Sequence, residues 1–198
     1  VDLRGAHVGR RTPVDHPVVG DARLALGALL PLLTEKTERG HLDHAREAYE
    51  LWGRGQAHLA DPVYDTKRVG LLRRKVDNPD TLIRPELLAA AVERHAARDA
   101  IFTTDTGMST VWLSRFVRMT GQRRLIGSYN LGSMANAMPM ALGAQALDRG
   151  RQVVAFCGDG GLSMLMGDLI TAVSADLPVK LVVFDNGRLG MVKLEMEQ

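Results

Sequence analysis

The chain has 198 residues, a length for one to one-and-a-half domains at roughly 150 residues each. Its 45% apolar and 24% charged residues exclude a disordered or collagen-like chain, and 25 basic against 23 acidic residues, net +2, give no reason to expect nucleic acid as a partner. With one cysteine, Cys157, neither an intrachain disulfide nor a multi-cysteine zinc site can form.

The first 80 residues differ in texture from the rest. Asp21 is a plausible N-cap for an amphipathic helix through DARLALGALLPLL that should stop after Leu33. A polar helix is expected at about His41–His58. DPVYDTKRVGLLRRKVDNPD follows, with Lys67, Arg68, Arg73, Arg74 and Lys75, and reads as an exposed linker whose charges form a solvated face. From about residue 81 strands and helices alternate. Pro85 suits the first turn of a helix to about Arg98, followed by the strand AIFTT, the loop Asp105–Gly107 and a helix to about Met119. Next come a strand near Arg124–Ile126, a glycine-rich turn at Gly127–Gly132 and a helix from Met134 to Leu147. QVVAFC and PVKLVVF read as buried strands either side of a helix at Leu162–Ala175. This pattern predicts an α/β fold, a parallel sheet flanked by helices. No apolar run approaches the roughly 18 residues that span a bilayer, and no basic-then-apolar leader opens the chain, so a cytoplasmic location is expected. Val1 and the closing LGMVKLEMEQ suggest a piece of a longer protein.

The strongest local signal is VVAFC-Gly158-Asp159-Gly160-Gly161, at a strand-to-helix joint. Helix N-termini favour anions, and glycines let a phosphate approach the main chain. It is not a P-loop, since no Lys-Ser/Thr follows, and a dinucleotide fingerprint would need glycine where Ser163 stands. Asp159 would repel a phosphate by several kcal/mol at close range unless a cation lay between them. Mg²⁺ suits that place, because it takes one or two protein oxygens together with phosphate oxygens. The two buried strands form one βαβ unit, so their C-terminal ends should share a sheet edge, bringing Asp185-Asn186 beside Asp159.

GDGG followed 27 residues later by Asn186 resembles the paired GDG…NN motif of thiamine diphosphate-dependent enzymes. VGDARLALGALLPLL, GSMANAMPMALGAQ, CGDGGLSMLMGDL and LPVKLVVFDNGRLGMVKLEM are similar to the pyruvate dehydrogenase (quinone), or pyruvate oxidase, branch of that family. The resemblance implies the end of a middle FAD-binding domain over 1–60, a linker over 61–80, and the N-terminal part of a diphosphate-binding domain over 81–198 whose fold is incomplete at its C-terminus. The implied activity is oxidative decarboxylation of pyruvate, or another 2-oxo acid, to acetate and CO2 with thiamine diphosphate, Mg²⁺ and FAD. A quinone would be the electron acceptor and a homo-oligomer, dimer or tetramer, the assembly. Peripheral membrane contact would come from a C-terminal region absent here.

By the same resemblance, Asp159 and Asn186 would bind Mg²⁺ by side chain and Arg188 by its carbonyl. The diphosphate would lie among Asp159, Gly160, Gly161, Asn186, Gly187, Arg188, Leu189 and Gly190, with Thr106, Gly107 and Met108 on its other side. The Gly132 carbonyl would accept from the aminopyrimidine, with Ser133 beside it, and Met134 would be the apolar wedge that keeps the cofactor bent. Asp2 would stand near the adenosine of FAD. No catalytic residue is carried over, since the activating glutamate belongs to an N-terminal domain absent here. Asp185 replaces the usual first Asn, and Met191 replaces an aromatic residue near the flavin. Acetolactate synthase on the same scaffold, and a non-catalytic phosphate-binding module, are the alternative readings. All six histidines precede residue 96, no Ser-His-Asp or Cys-His set stands out, and Cys157 reads as packing.

Overall fold

The computed structural model describes residues 1–63 and 82–197. The expected linker and its basic run therefore lie outside the described residues, apart from Asp61, Pro62 and Val63. The chain divides into two compact units, Val1–Glu50 and Leu51–Gln198, a division that falls inside a helix.

In the first unit a parallel bridge joins Asp2 to Val19. Helix α1 (Ala22–Leu29) starts where expected, with the Asp21 carboxylate accepting the Leu24 N–H at 2.9 Å. A 3-10 turn at Leu30–Leu32 ends it at Pro31. Helix α2 (Gly40–Leu59) begins in this unit and ends in the next.

The second unit holds helices α3 (Pro85–His95), α4 (Met108–Phe116), α5 (Ala137–Leu147), α6 (Asp159–Met164), α7 (Leu169–Ser174) and α8 (Gly190–Met196). Its strands are β1 (Ile101–Thr104), β2 (Arg124–Gly127), β3 (Val153–Gly158) and β4 (Lys180–Phe184). All pairs are parallel, in the order β2-β1-β3-β4. The expected adjacency of β3 and β4 holds, in a register that sets Gly158 beside Phe184.

Strand alternation sends side chains to two covered faces, as a parallel sheet requires. Phe102, Val154, Phe156 and Phe184 pack with Ala89, Leu113 and Phe116 of α3 and α4. Ile101, Val153, Ala155 and Cys157 pack with Ala137, Met138, Ala141 and Ala144 of α5. Phe156 lies 5.3 Å from Phe184 and 6.3 Å from Phe102 between ring centroids, the latter edge-on.

The N-terminal ends of the strands are closed by long side chains. Arg123 is buried and pairs with Glu93 at 2.5 Å. It also donates to the carbonyls of Ala96, Ala97 and Arg118 and stacks 5.5 Å over Phe102. Arg151 donates to the Asp99 and Gln122 carbonyls, and Gln152 accepts the Ala97 N–H at 2.8 Å.

Two helices depart from the expected bounds. α5 begins at Ala137 rather than Met134, because Ala135 takes a left-handed φ of 66° and the Ala137 N–H is held by Asp105. The helix expected over Leu162–Ala175 starts earlier, at Asp159, and is broken by a 3-10 turn at Met166–Asp168 around Gly167.

Candidate functional site

A cavity of about 220 Å³ opens at the C-terminal ends of the strands. Chain order explains the place. β2 lies on one side of β1 and β3 on the other, so the connections diverge and leave a crevice, where open α/β sheets bind ligands. Loops after all four strands contribute: Asp105–Ser109 after β1, Gly132 and Met134 after β2, Gly158–Gly161 after β3, and Asn186 with Arg188–Gly190 after β4.

Most residues expected at the site meet here. Thr106, Gly107, Met108, Gly132, Met134, Asp159, Gly160, Gly161, Asn186, Arg188, Leu189 and Gly190 all line the cavity. Ser133 and Gly187 adjoin it without lining it; Ser133 takes its N–H to Ser128 Oγ at 3.2 Å, and its carbonyl accepts the Thr106 N–H. Asp2 belongs to the first unit, where its carboxylate accepts the Arg4 N–H at 2.8 Å and faces His7 at 3.6 Å.

The two halves of the expected metal pair stand at neighbouring strand ends. Gly158 and Phe184 are register partners, so Asp159 and Asn186 follow them by one and two residues. Asn186 Oδ1 accepts the Arg188 N–H at 3.1 Å, and Asp185 Oδ1 the Gly187 N–H at 3.1 Å, two short turns that shape the β4–α8 loop. Among the described residues no group of three His, Cys, Asp or Glu is arranged to hold a metal. A cation here would therefore draw on one carboxylate, one amide oxygen, carbonyls and the ligand's own oxygens, a hard-oxygen set that suits Mg²⁺.

Glycines leave the backbone open where loops converge. A Cβ on Gly160 would lie 3.4 Å from Leu189 and 3.6 Å from Met134, and one on Gly190 would lie 2.9 Å from both the Asn186 amide and Met108. Gly107, the N-cap of α4, has φ 148°, which side-chain-bearing residues rarely adopt. Neither α4 nor α6 has a side-chain cap, and both caps are glycine, so first-turn N–H groups remain for another acceptor.

Several lining residues have no counterpart among the expected ones: Asp105, Ser109, Phe184, Val192 and Glu195. Glu195 stands four residues after Met191 on α8, and both line the cavity, a helical spacing visible in the sequence. Asp105 gives no such signal. Burial raises its pKa, opposed by hydrogen bonds from the backbone of Ala137, Gly158 and Asn136. Behind it, the fully buried Cys157 thiol is pushed up to about 12, by burial and then by Asp105, which bears out packing rather than reactivity.

Comparison with known proteins agrees with this geometry. Residues 105–198 match the family described as thiamine pyrophosphate enzyme, C-terminal TPP binding domain. The whole chain is 32% identical to a pyruvate oxidase of Lactiplantibacillus plantarum, covering 30% of that protein. It is 31% identical over its full length to a Bacillus subtilis protein provisionally named thiamine pyrophosphate-containing protein YdaP, covering 32% of it. Over 97% of the chain it is 30% identical to the acetolactate synthase large subunit of Corynebacterium glutamicum, covering 28% of that protein. The chain thus spans about a third of the length of the curated relatives it matches. Residues 105–198 thus form a C-terminal TPP-binding domain of the thiamine pyrophosphate enzyme type.

Proposed function

We propose that this chain contributes the diphosphate- and metal-binding wall of a thiamine diphosphate-dependent enzyme that oxidatively decarboxylates pyruvate, or a similar 2-oxo acid, to acetate and CO2. The observation that carries this reading is the convergence of Asp159, Asn186 and the glycine-capped starts of α4 and α6 on one cavity. Asp159 and Asn186, with the Arg188 carbonyl, would hold Mg²⁺. Gly160 and Gly107 keep side chains away from the main chain, so that backbone N–H groups, that of Gly161 among them, can meet a diphosphate. Met134 presents an apolar side chain across from Leu189, where it would support a bent ligand. Glu195 brings a carboxyl group to the cavity from α8. Bound thiamine diphosphate supplies the carbon nucleophile and electron sink that no side chain provides.

The cavity is smaller than the roughly 300–1,000 Å³ of a closed small-molecule site. This supports a reading in which the ligand's other faces, and the activating glutamate, are supplied from outside this chain in a homo-oligomer. FAD would be the electron carrier, as the resemblance to the quinone-linked pyruvate dehydrogenases implies. Asp2 is a single half-exposed carboxylate already engaged with Arg4 and His7, which does not amount to a flavin site.

The acetolactate synthases among the relatives favour a second reading, in which the same wall serves carbon–carbon bond formation. Product analysis on the whole protein with pyruvate separates the two. Acetate with reduction of a quinone-like dye supports the oxidase; acetolactate without dye reduction overturns it.

A further inference from the structure

Asp105 is 2% exposed, and its carboxylate is shared between two loops that wall the cavity. Oδ1 accepts the Ala137 N–H at 2.8 Å, and Oδ2 accepts the Gly158 N–H at 3.1 Å. Its main chain is fixed as well. The Asp105 N–H donates to the Phe156 carbonyl at 3.1 Å, and its own carbonyl accepts from Ser109 Oγ at 3.1 Å and from Thr110 Oγ1. One side chain, rooted on β1 and α4, thereby sets the spacing between the start of α5 and the end of β3. Met134 lies just before the first of these, and Asp159 follows directly on the second.

Gly161 completes the arrangement. A methyl group there would come within 2.8 Å of Asp105 Cγ and 3.3 Å of the Ala135 nitrogen. Gly161 is not among the glycines with positive φ, so its requirement is for space, and the carboxylate fills that space. Asn136 reinforces the same loop by donating from Nδ2 to the Thr104 carbonyl at 3.0 Å.

We propose that Asp105 is a positioning residue for the thiamine diphosphate site: its carboxylate clasps the Ala137 and Gly158 amides, seats Gly161, and so fixes the Asp159–Gly161 turn against the Met134 loop. This rests on the proposed binding of thiamine diphosphate at this cavity. A carboxylate is the group required, because each of its oxygens accepts. An amide offers one acceptor and one donor group, so Asp105→Asn leaves an N–H facing an N–H.

The test uses the whole protein as wild type, Asp105→Asn, Gly161→Ala and the double variant. Amide hydrogen exchange on cofactor-free protein should accelerate about tenfold at residues 136–138 and 158–161 in Asp105→Asn, as for loss of a hydrogen bond to a charged acceptor, with α3 unchanged. Calorimetric titration with Mg²⁺ and thiamine diphosphate should show about tenfold weaker binding for each single variant. The double variant should bind no more weakly than the weaker single, since both changes break one clasp. Unchanged exchange in Asp105→Asn overturns the proposal. So does acceleration that extends equally to α3, which would mark a general strut, and so does a loosened turn with wild-type affinity. A wild-type protein that does not bind thiamine diphosphate overturns the function proposed for the cavity, and the positioning role with it. Wild-type binding with unaltered Asp105→Asn binding overturns the positioning role alone.

Discussion

The two ends of this sheet are built on opposite terms. At the N-terminal ends of the strands, Arg123, Arg151 and Gln152 reach across and satisfy loop backbone groups, and the Arg123–Glu93 pair closes the gap between them. At the C-terminal ends the loops carry glycines and short polar side chains, and α4 and α6 start from glycine caps. One end spends its polar side chains on the chain itself; the other, apart from Asp105 and Asn136, holds its polar groups toward the cavity. Residues at the first should therefore govern stability, and residues at the second ligand affinity.

The largest expected effect tests the open end. Asp159→Ala, or removal of divalent cations with EDTA, should weaken thiamine diphosphate binding about a thousandfold, or about 4 kcal/mol. The melting temperature of cofactor-free protein should not move. Calorimetry and a thermal scan on the whole protein check both halves, and a large loss of stability would erase the contrast.

The closed end should behave in reverse. Arg123→Ala removes the ion-pair partner of Glu93 and one donor from each of the Ala96, Ala97 and Arg118 carbonyls, at about 3 kcal/mol of unfolding free energy measured in urea. Thiamine diphosphate affinity, extrapolated to fully folded protein, should stay within about twofold, near the scatter expected of distant independent sites.

Asn186→Ala sharpens the comparison within the open end. The Asn186 side chain is exposed and its protein bonds are local, so stability should change by less than about 0.5 kcal/mol. Affinity for Mg²⁺ with thiamine diphosphate should fall between about tenfold and a hundredfold, read by the same titration.

The smallest effect is a gain. Ala135 holds a left-handed φ of 66° while 5% exposed, a strained backbone beside Met134. Ala135→Gly should raise stability by about 1 kcal/mol by relieving that strain. Denaturant titration checks it, and a loss would mean that the Ala135 methyl is worth more than the strain.

How much of this was legible in sequence depends on the range of the signal. The alternation of QVVAFC and PVKLVVF with helices is local chemistry, and it fixed two adjacent parallel strands correctly. From that adjacency alone Asp159 and Asn186 had to share an edge, and they line one cavity. The start of α5 is not legible locally, because Met134-Ala135-Asn136 reads as the opening of a helix, while the boundary is decided by a carboxylate 32 residues upstream. Asp105 itself read as one polar residue in a strand-end loop, for nothing in TTDTG reveals the amides it will meet. The break at Met166–Asp168 was invisible for a related reason: the apolar pattern of LSMLMGDLITAV runs on through a glycine that interrupts the backbone. Asp2 remains an expectation from resemblance alone.

Among the described residues the order β2-β1-β3-β4 leaves β4 at an outer edge of the sheet, with Val183 38% exposed. A rim of that kind offers main-chain donors and acceptors to any extended segment that passes, and only Lys180 at its start discourages strangers. Concentrated preparations of this polypeptide in isolation would be prone to zip together along that rim, whereas a neighbouring strand laid against it would both solubilise the sheet and stiffen the loop that bears Asn186.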